Sequence, residues 1–430
     1  MTKHLNSLIA NVVALFAVVA FSQLNLFSQE TDTVRNNNTK TEVDTTQKNA
    51  TVHRLPAEDV LSKRLIEQLG YGGFVITDQN TKISIGGLII GNAYQDFRTM
   101  RSENYFAISE IPIDASSMFR TRFDVGNSRF FINSDIATKE LDYRTRFEFD
   151  FFNASGDYVF RLRHAFVEFG RFAVGYTFSN FTNTNITPDV IDNGGAPGEV
   201  AQKQTQFRYT HPLSATMRFV VAVEDGQGNL LRDNSATAST RISPDFVANF
   251  RYKPAYSDNT QFQIAGVLHP LGYKQEANPF AGEFGWAVSA GAAIKLFQED
   301  YLSCQATYSH GATKYLSDPI VFYDARVETN LDSTLTITPI KMFGFFLYYH
   351  HRWTEHYASN FGYSYIGGRE SQFSSDYSQA IEGHYASANI IYYPNNKMAF
   401  GLEPIFGMRK NIDGETAFNF RVQFQVKFSF

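Results

Sequence analysis

From Thr81 to the C-terminal end, apolar and polar residues alternate one by one. The last segment shows the pattern most cleanly. Phe418, Phe420, Val422, Phe424, Val426, Phe428 and Phe430 are separated by Asn419, Arg421, Gln423, Gln425, Lys427 and Ser429. Tyr143, Thr145, Phe147, Phe149 and Phe151 alternate in the same way with Asp142, Arg144, Arg146, Glu148 and Asp150. A period of two belongs to β-strands, whose successive side chains point to opposite faces. Each run therefore has one apolar and one polar face.

A soluble sandwich also alternates, but its strands usually hold about 5–6 residues. Here the runs often reach 9–14 residues, the length of a tilted strand that crosses a bilayer. About sixteen runs occur, near 81–97, 119–137, 141–152, 157–169, 171–179, 202–211, 214–225, 244–253, 259–269, 284–297, 301–310, 336–349, 353–366, 381–393, 397–409 and 416–430. The second is interrupted around Gly126. Bacterial outer-membrane barrels have even strand numbers, short turns at one end and longer loops at the other. Short connections include Gly170, His211-Pro212-Leu213, Gln298-Glu299-Asp300 and Pro394-Asn395-Asn396. Longer ones are 98–118, 180–201, 226–243, 270–283, 311–335 and 367–380, while 153–156 and 410–415 are short. The expected fold is all-β: a transmembrane antiparallel β-barrel of about sixteen strands over 79–430. Even parity places both barrel ends on the short-turn, periplasmic side.

The residues before the barrel read differently. Residues 1–22 have the form of a signal peptide: Lys3 and His4, an apolar run from Leu8 to Phe21, then Ala20-Phe21-Ser22 for cleavage. The run is too short to span comfortably, which takes about 20 apolar residues. Residues 23–52, rich in Thr, Asn, Asp and Gln, read as a flexible linker. Within 53–78 a short helical periplasmic segment is expected, with Pro56 near its start, Gly70 beyond its end and a stripe of Leu61, Leu65 and Leu69. The expected location is the outer membrane of a Gram-negative bacterium.

Composition sharpens the picture. Aromatics make up 15% of the 430 residues, with 41 Phe and 23 Tyr but 2 Trp, which excludes a disordered chain. In a barrel, most of the 43% hydrophobic content is expected to be a lipid-facing belt rather than a core. Cys304 is alone, so no disulfide framework exists, and it falls on the lipid side of its strand. A net charge of −5 gives no pull toward nucleic acid.

Candidate chemistry therefore lies on the polar, lumenal face. With apolar residues facing lipid, Arg144, Arg146, Arg161, Arg163, Arg208, Arg218, Arg251 and Arg421 point inward, opposed by Glu148, Asp150 and Glu224. On the strand that carries Arg161 and Arg163, the same rule puts Tyr158, Phe160, Leu162, His164 and Phe166 on the lipid side. Guanidinium groups bind carboxylates and phosphates in paired hydrogen bonds. A cluster in a narrow pore favours anions, whereas mixed charges can equally pair across strands to stabilise the wall. The loop 180–201 carries Asp189, Asp192 and Glu199, with Gly194, Gly195 and Gly198. It is a candidate constriction; the alternative is an exposed extracellular loop. G-x-S-x-G, H-E-x-x-H and Walker sequences do not occur. His350, His351 and His356 read as the polar end of a strand beside Trp353 and Tyr357 rather than as a metal site. No cofactor, metal or catalytic residue is expected.

Five segments carry a family resemblance: Thr81-Lys-Ile-Ser-Ile-Gly-Gly, Asn127-Ser-Arg-Phe-Phe, Phe147-Glu-Phe-Asp-Phe, Phe160-Arg-Leu-Arg-His-Ala-Phe-Val-Glu-Phe-Gly and Val174-Gly-Tyr-Thr-Phe-Ser-Asn-Phe. Together they resemble the DcaP-like porins, which overlap with the phosphate-selective porins. The resemblance implies a trimeric sixteen-stranded outer-membrane porin with a periplasmic extension, passing small, often anionic, solutes. It implies a third loop folded into the lumen, the ordinal place of 180–201. The terminal Phe430 resembles the signal read by the barrel-assembly machinery. The implied partners are outer-membrane lipid, further copies of the chain and small anions. The expected function is a water-filled channel for passive diffusion of small hydrophilic, anionic solutes. A structural or adhesive barrel with an occluded lumen, and a barrel lipase, are the competing classes.

Overall fold

The computed structural model describes residues 74–430 except 78–79, 101, 115–117, 154, 233–236, 256, 258–259, 275–279, 298, 319–322, 333 and 369–379. The expected signal peptide, linker and helix lie outside the described residues. Sixteen strands form the barrel. They are β1 (Thr81–Asp96), β2 (Arg120–Asp124 continued by Arg129–Ile136), β3 (Tyr143–Asp150), β4 (Arg161–Phe169), β5 (Phe172–Phe178), β6 (Lys203–Pro212), β7 (Met217–Glu224) and β8 (Asp245–Tyr252). The remainder are β9 (Gln261–Tyr273), β10 (Ala281–Phe297), β11 (Asp300–His310), β12 (Lys341–Arg352), β13 (Tyr357–Gly368), β14 (Ala380–Ala388 continued by Ile390–Asn395), β15 (Met398–Asn411) and β16 (Thr416–Ser429). Consecutive strands pair antiparallel, and β16 returns to β1 in register Leu88↔Ser429 through Asp96↔Arg421. Closure leaves the barrel wall without a free edge, which is what lets a β-structure sit in hydrocarbon.

The alternation sets the two faces. On β16, Phe418, Phe420, Phe424 and Phe428 are exposed on the outside, whereas Asn419, Arg421, Gln423 and Gln425 are buried inside. Gly126 lies in the gap between the two halves of β2, at the expected interruption. Phe74–Thr77, at the end of the expected segment 53–78, is a strand paired with Lys82–Ile85 of β1.

The alternation rule fails on β4. Phe149 pairs with Leu162 but Glu148 pairs with His164, so one extra residue is inserted at Arg163. Such a bulge bends the strand, and a one-residue offset exchanges its faces. His164 and Phe166, expected toward lipid, are consequently buried on the lumenal side, with His164 Nδ1 2.9 Å from Thr177 Oγ1. Arg163 at the bulge and Arg161 two residues before it both point inward.

The loops also depart from expectation. The run 336–349 is two pieces: Leu335–Pro339 belongs to a separate sheet, and only Lys341 onward enters the barrel. That sheet is built from Thr237–Thr240, Gly228–Arg232, Ala325–Thr329 and Leu335–Pro339, in this order, with a parallel pairing between the middle two. One face of it buries Leu230, Ala325, Val327 and Ile337 against Leu271 of β9. A buried polar cluster fixes it there. Asp245 receives Lys314 Nζ at 2.7 Å, the Tyr315 hydroxyl at 2.7 Å and His269 Nδ1 at 2.6 Å. Asp324 accepts from the backbone N–H of Asn229 at 2.9 Å and of Lys314 at 3.0 Å.

Besides the expected lipid belt, the lumen contains apolar cores. Phe106, Ile108 and Ile111 of loop 97–119 pack with Ala196 against Phe346, Tyr348, Tyr385 and Ile405 of β12, β14 and β15. Phe181 and Val200 join Ala312, Tyr315 and Leu316 of loop 311–340 against Val267, Met342 and Ile366. These wall strands are apolar on both faces because loops cover them from inside.

Candidate functional site: the barrel lumen

Three loops meet inside the barrel, and carboxylates hold them. Glu403 of β15 accepts from the backbone N–H of Ile191 at 2.9 Å and of Asp192 at 3.1 Å, and from Asn389 Nδ2 at 2.8 Å. Asp192 in turn accepts from Phe106 N–H at 3.0 Å. Asp318 accepts from Ile108 N–H at 2.6 Å and from the Ser109 hydroxyl at 3.1 Å. Loop 179–202 also pairs with 311–340: Gly198 N–H donates to Ser317 O at 2.9 Å and Ser317 N–H to Glu199 O at 2.7 Å. Buried loop backbone has to find partners, and here lumen-facing carboxylates and neighbouring loops supply them.

The loop therefore packs against lumen-facing side chains of the wall, Glu403 and Gln305 among them. Asp189 accepts from the Tyr301 hydroxyl at 2.5 Å. Burial pushes Asp192 up to about 6, Asp318 up to about 7 and Glu199 up to about 8. No guanidinium or ammonium bonds directly to these three among the described residues, so desolvation of the charged form dominates.

The wall opposite is basic, and most of its arginines are tied to acids. Arg161 makes two bonds to Asp150, Nε to Oδ1 at 2.8 Å and Nη2 to Oδ2 at 2.6 Å. Arg163 bridges Glu148 at 2.9 Å and Asp150 at 2.7 Å. Arg146 donates to Glu148 at 3.0 Å and Arg144 to Asp135 at 3.0 Å. Arg208 bonds to Glu168. Arg251 donates to Gln263 Oε1 at 2.6 Å and lies across from Arg218 in the strand register. Arg421 is fully buried against Asp96. Glu224 accepts from Asn180 N–H at 2.7 Å rather than from an arginine.

Two cavities remain on this side. The first, about 460 Å³, is lined by Arg129, Arg161, Arg163, Lys203 and Lys427 from the wall and by Asp189, Asp192, Glu199 and Asp318 from the loops. The second, about 800 Å³, reaches the short-turn end and contains Arg171, Arg208, Arg218, Arg251 and Lys253, with Glu168. Phe178, Thr182 and Thr184 line both. Arg144, Arg146 and Arg421 line neither. Arg129, Lys203 and Lys427 were not singled out from sequence. Lys427 stands on the polar face of the clearest strand, so its inward direction was legible there. The charge around it was not.

The three histidines separate. His350 meets Asn360 Oδ1 at 2.9 Å, His351 meets Asp300 Oδ2 at 2.8 Å and His356 meets Tyr393 O at 2.8 Å. Among the described residues, no group of three or more His, Cys, Asp or Glu side chains could hold a metal ion.

A closed sixteen-stranded barrel with an apolar outer belt and a loop-narrowed polar lumen is an outer-membrane channel of the porin type. The chain belongs to the DcaP outer membrane protein family, whose model matches residues 71–430. Among solved structures, it is similar to the outer membrane channel DcaP of Acinetobacter baumannii, with a TM-score of 0.71 at 18% identity, covering 84% of this chain and 100% of that one. Salmonella typhi OmpF, in a complex with daunomycin, matches at TM-score 0.55 and 11% identity over 83% of this chain and 100% of its own. The anion-selective porin from Comamonas acidovorans matches at 0.52 and 11% over 81% and 100%. No curated protein sequence matches the chain. The family and the fold place the protein in the outer membrane.

Proposed function

We propose that the protein is a passive diffusion channel that favours small hydrophilic anions. One observation carries this: the strand wall of both cavities is lined mainly by cations. Arg129, Arg161, Arg163, Lys203 and Lys427 line the first, and Arg171, Arg208, Arg218, Arg251 and Lys253 the second. The carboxyls of the first cavity come from the loops rather than from the strand wall. A narrow passage lined this way raises the local concentration of anions. The likeness to a porin described as anion-selective agrees with this at the level of fold.

The proposal extends to a homotrimer in outer-membrane lipid, with the signal peptide removed after Ser22 and Phe430 read during barrel assembly. The family resemblance supports the trimer, as does a similar structure, OmpT of Vibrio cholerae, described in a trimer form.

The test is the reversal potential of the purified protein in planar bilayers under a KCl gradient. It should shift toward the chloride potential. A shift toward the potassium potential refutes anion preference. An occluded barrel is the competing possibility, and the apolar cores inside the lumen favour it. Well-inserted protein that shows no conductance steps would establish it.

A further inference from the structure

We propose that anion preference is set by three side chains, Arg129, Lys203 and Lys427, and not by the arginines that dominate the wall in number. This inference rests on the anion-channel proposal above. All three line the first cavity. What separates them from their neighbours is compensation. Arg161 and Arg163 share Asp150 and Glu148 through close ion pairs. Arg129 reaches an acid only at 3.8 Å, to Glu148 Oε1, and its buried Nε has no hydrogen-bond partner among the described residues. Lys203 lies over the Phe178 ring at 4.3 Å, and neither it nor Lys427 makes an ion pair with any described acid.

The three are also coupled. Lys203 shares this cavity with Arg163, Arg161 and Arg129. Lys427 shares it with Arg129 and, from the loop, with Asp189; Glu403 stands on the neighbouring strand β15. Asp189 is engaged by the Tyr301 hydroxyl, and Glu403 by two backbone N–H groups and Asn389. Arg129 thus lies between two lysines, and like charges accumulate where water is restricted. Coulomb repulsion is strongest where the dielectric is low. A permeating anion relieves it, whereas a cation increases it. An arginine and its acid in a close ion pair present almost no net charge at a distance, so removing both together does not change this balance.

Lys203 and Lys427 come from β6 and β16, on opposite sides of the strands carrying Arg129, Arg161 and Arg163. An anion in this cavity therefore meets charge from several directions, as a selectivity region requires.

Reversal potentials in a KCl gradient test the assignment, using the full-length protein. The variants are Lys203→Gln, Lys427→Gln, the double variant, Lys203→Arg with Lys427→Arg, and Arg144→Gln with Asp135→Asn, which removes an arginine outside both cavities together with its acid. Unitary conductance steps in each variant verify that a folded channel is being measured. Each single Gln variant should move the reversal potential toward zero and the double variant further, while the Arg variants and Arg144→Gln with Asp135→Asn keep the wild-type value. An anion-selective wild type whose double Gln variant is unchanged overturns this assignment and leaves the anion channel standing. A cation-selective wild type overturns the anion channel itself.

Discussion

Across the seam where the last strand meets the first, the Arg421 guanidinium clasps Asp96, with Nε 2.6 Å from Oδ1 and Nη2 3.1 Å from Oδ2. Arg120 on the next strand bonds to the same carboxylate at 2.9 Å. Arg421 is wholly buried, so its charge serves the wall and is not offered to a solute. Removing one member of a buried pair costs about 3–5 kcal/mol when the other is left uncompensated, and with Arg120 still on Asp96 the cost lies toward the lower end of that range. Arg421→Ala should lower the urea midpoint of the inserted barrel by a matching amount without shifting the reversal potential. Arg421→Met, which keeps the packing over the Tyr94 and Phe106 rings and leaves Arg120 on Asp96, should cost less than Arg421→Ala. A selectivity change in folded Arg421→Ala channels would show that Arg421 acts on the solute.

A second prediction concerns how closely the inner loop approaches the wall. Gly198 has φ +82°, and a Cβ there would lie 2.7 Å from Tyr365 O and 3.0 Å from Gly344 Cα. Glycine is needed twice over, for the left-handed backbone and for the contact. Gly198→Val should cost about 1–3 kcal/mol from the two effects together. It should also lift the loop and raise unitary conductance. Unchanged conductance would mean that this contact does not control the opening.

Most of the barrel was legible because its cause is local: a lipid-facing strand must alternate, and its length must match the bilayer. What was not legible depends on partners distant in sequence. The bulge at Arg163 turns His164 and Phe166 inward, and only the pairing with Glu148 and Phe149 reveals it. The lumenal cores were missed because β12 is apolar on both faces. Phe346 and Tyr348 read as more lipid belt until Phe106 and Ile108 are found against them. The candidate arginines were identified by facing direction alone. Direction does not say which are neutralised, and Asp96 lies 325 residues from Arg421.

The buried loop carboxyls predict a stability that falls with pH. Glu199 rises from an ordinary 4.5 to about 8, and Asp318 from 3.8 to about 7, in both cases because burial disfavours the charged form. A raised folded value means the contribution is fully present below the unfolded value and is lost as pH climbs through the folded one. The window is therefore about 4.5 to 8 for Glu199. Within it each such group costs about 1.4 kcal/mol of stability per pH unit. Urea midpoints measured across this range should fall with rising pH, and Glu199→Gln should flatten the slope. An identical slope in Glu199→Gln would remove Glu199 as the source. Ionisation near pH 8 also adds negative charge to the first cavity, so the wild-type reversal potential should move toward zero there.

The last prediction separates anchoring of the loop from its charge. Glu403 accepts two successive backbone N–H groups, from Ile191 and Asp192, and also holds Asn389 Nδ2. Leaving buried donors unsatisfied costs about 1–3 kcal/mol. Water can enter to replace the lost acceptor only if the loop moves away from β15. Glu403→Ala should therefore loosen the loop around Ile191, raising unitary conductance and its current noise. Glu403→Gln has no charge but keeps one carbonyl oxygen of similar reach, so it should retain part of the anchor and give intermediate noise. If the two variants are equally noisy, the charge matters rather than the geometry. If both remain as quiet as the wild type, the loop is held by its other contacts, namely Gly198 with Ser317 and Asp192 with Phe106.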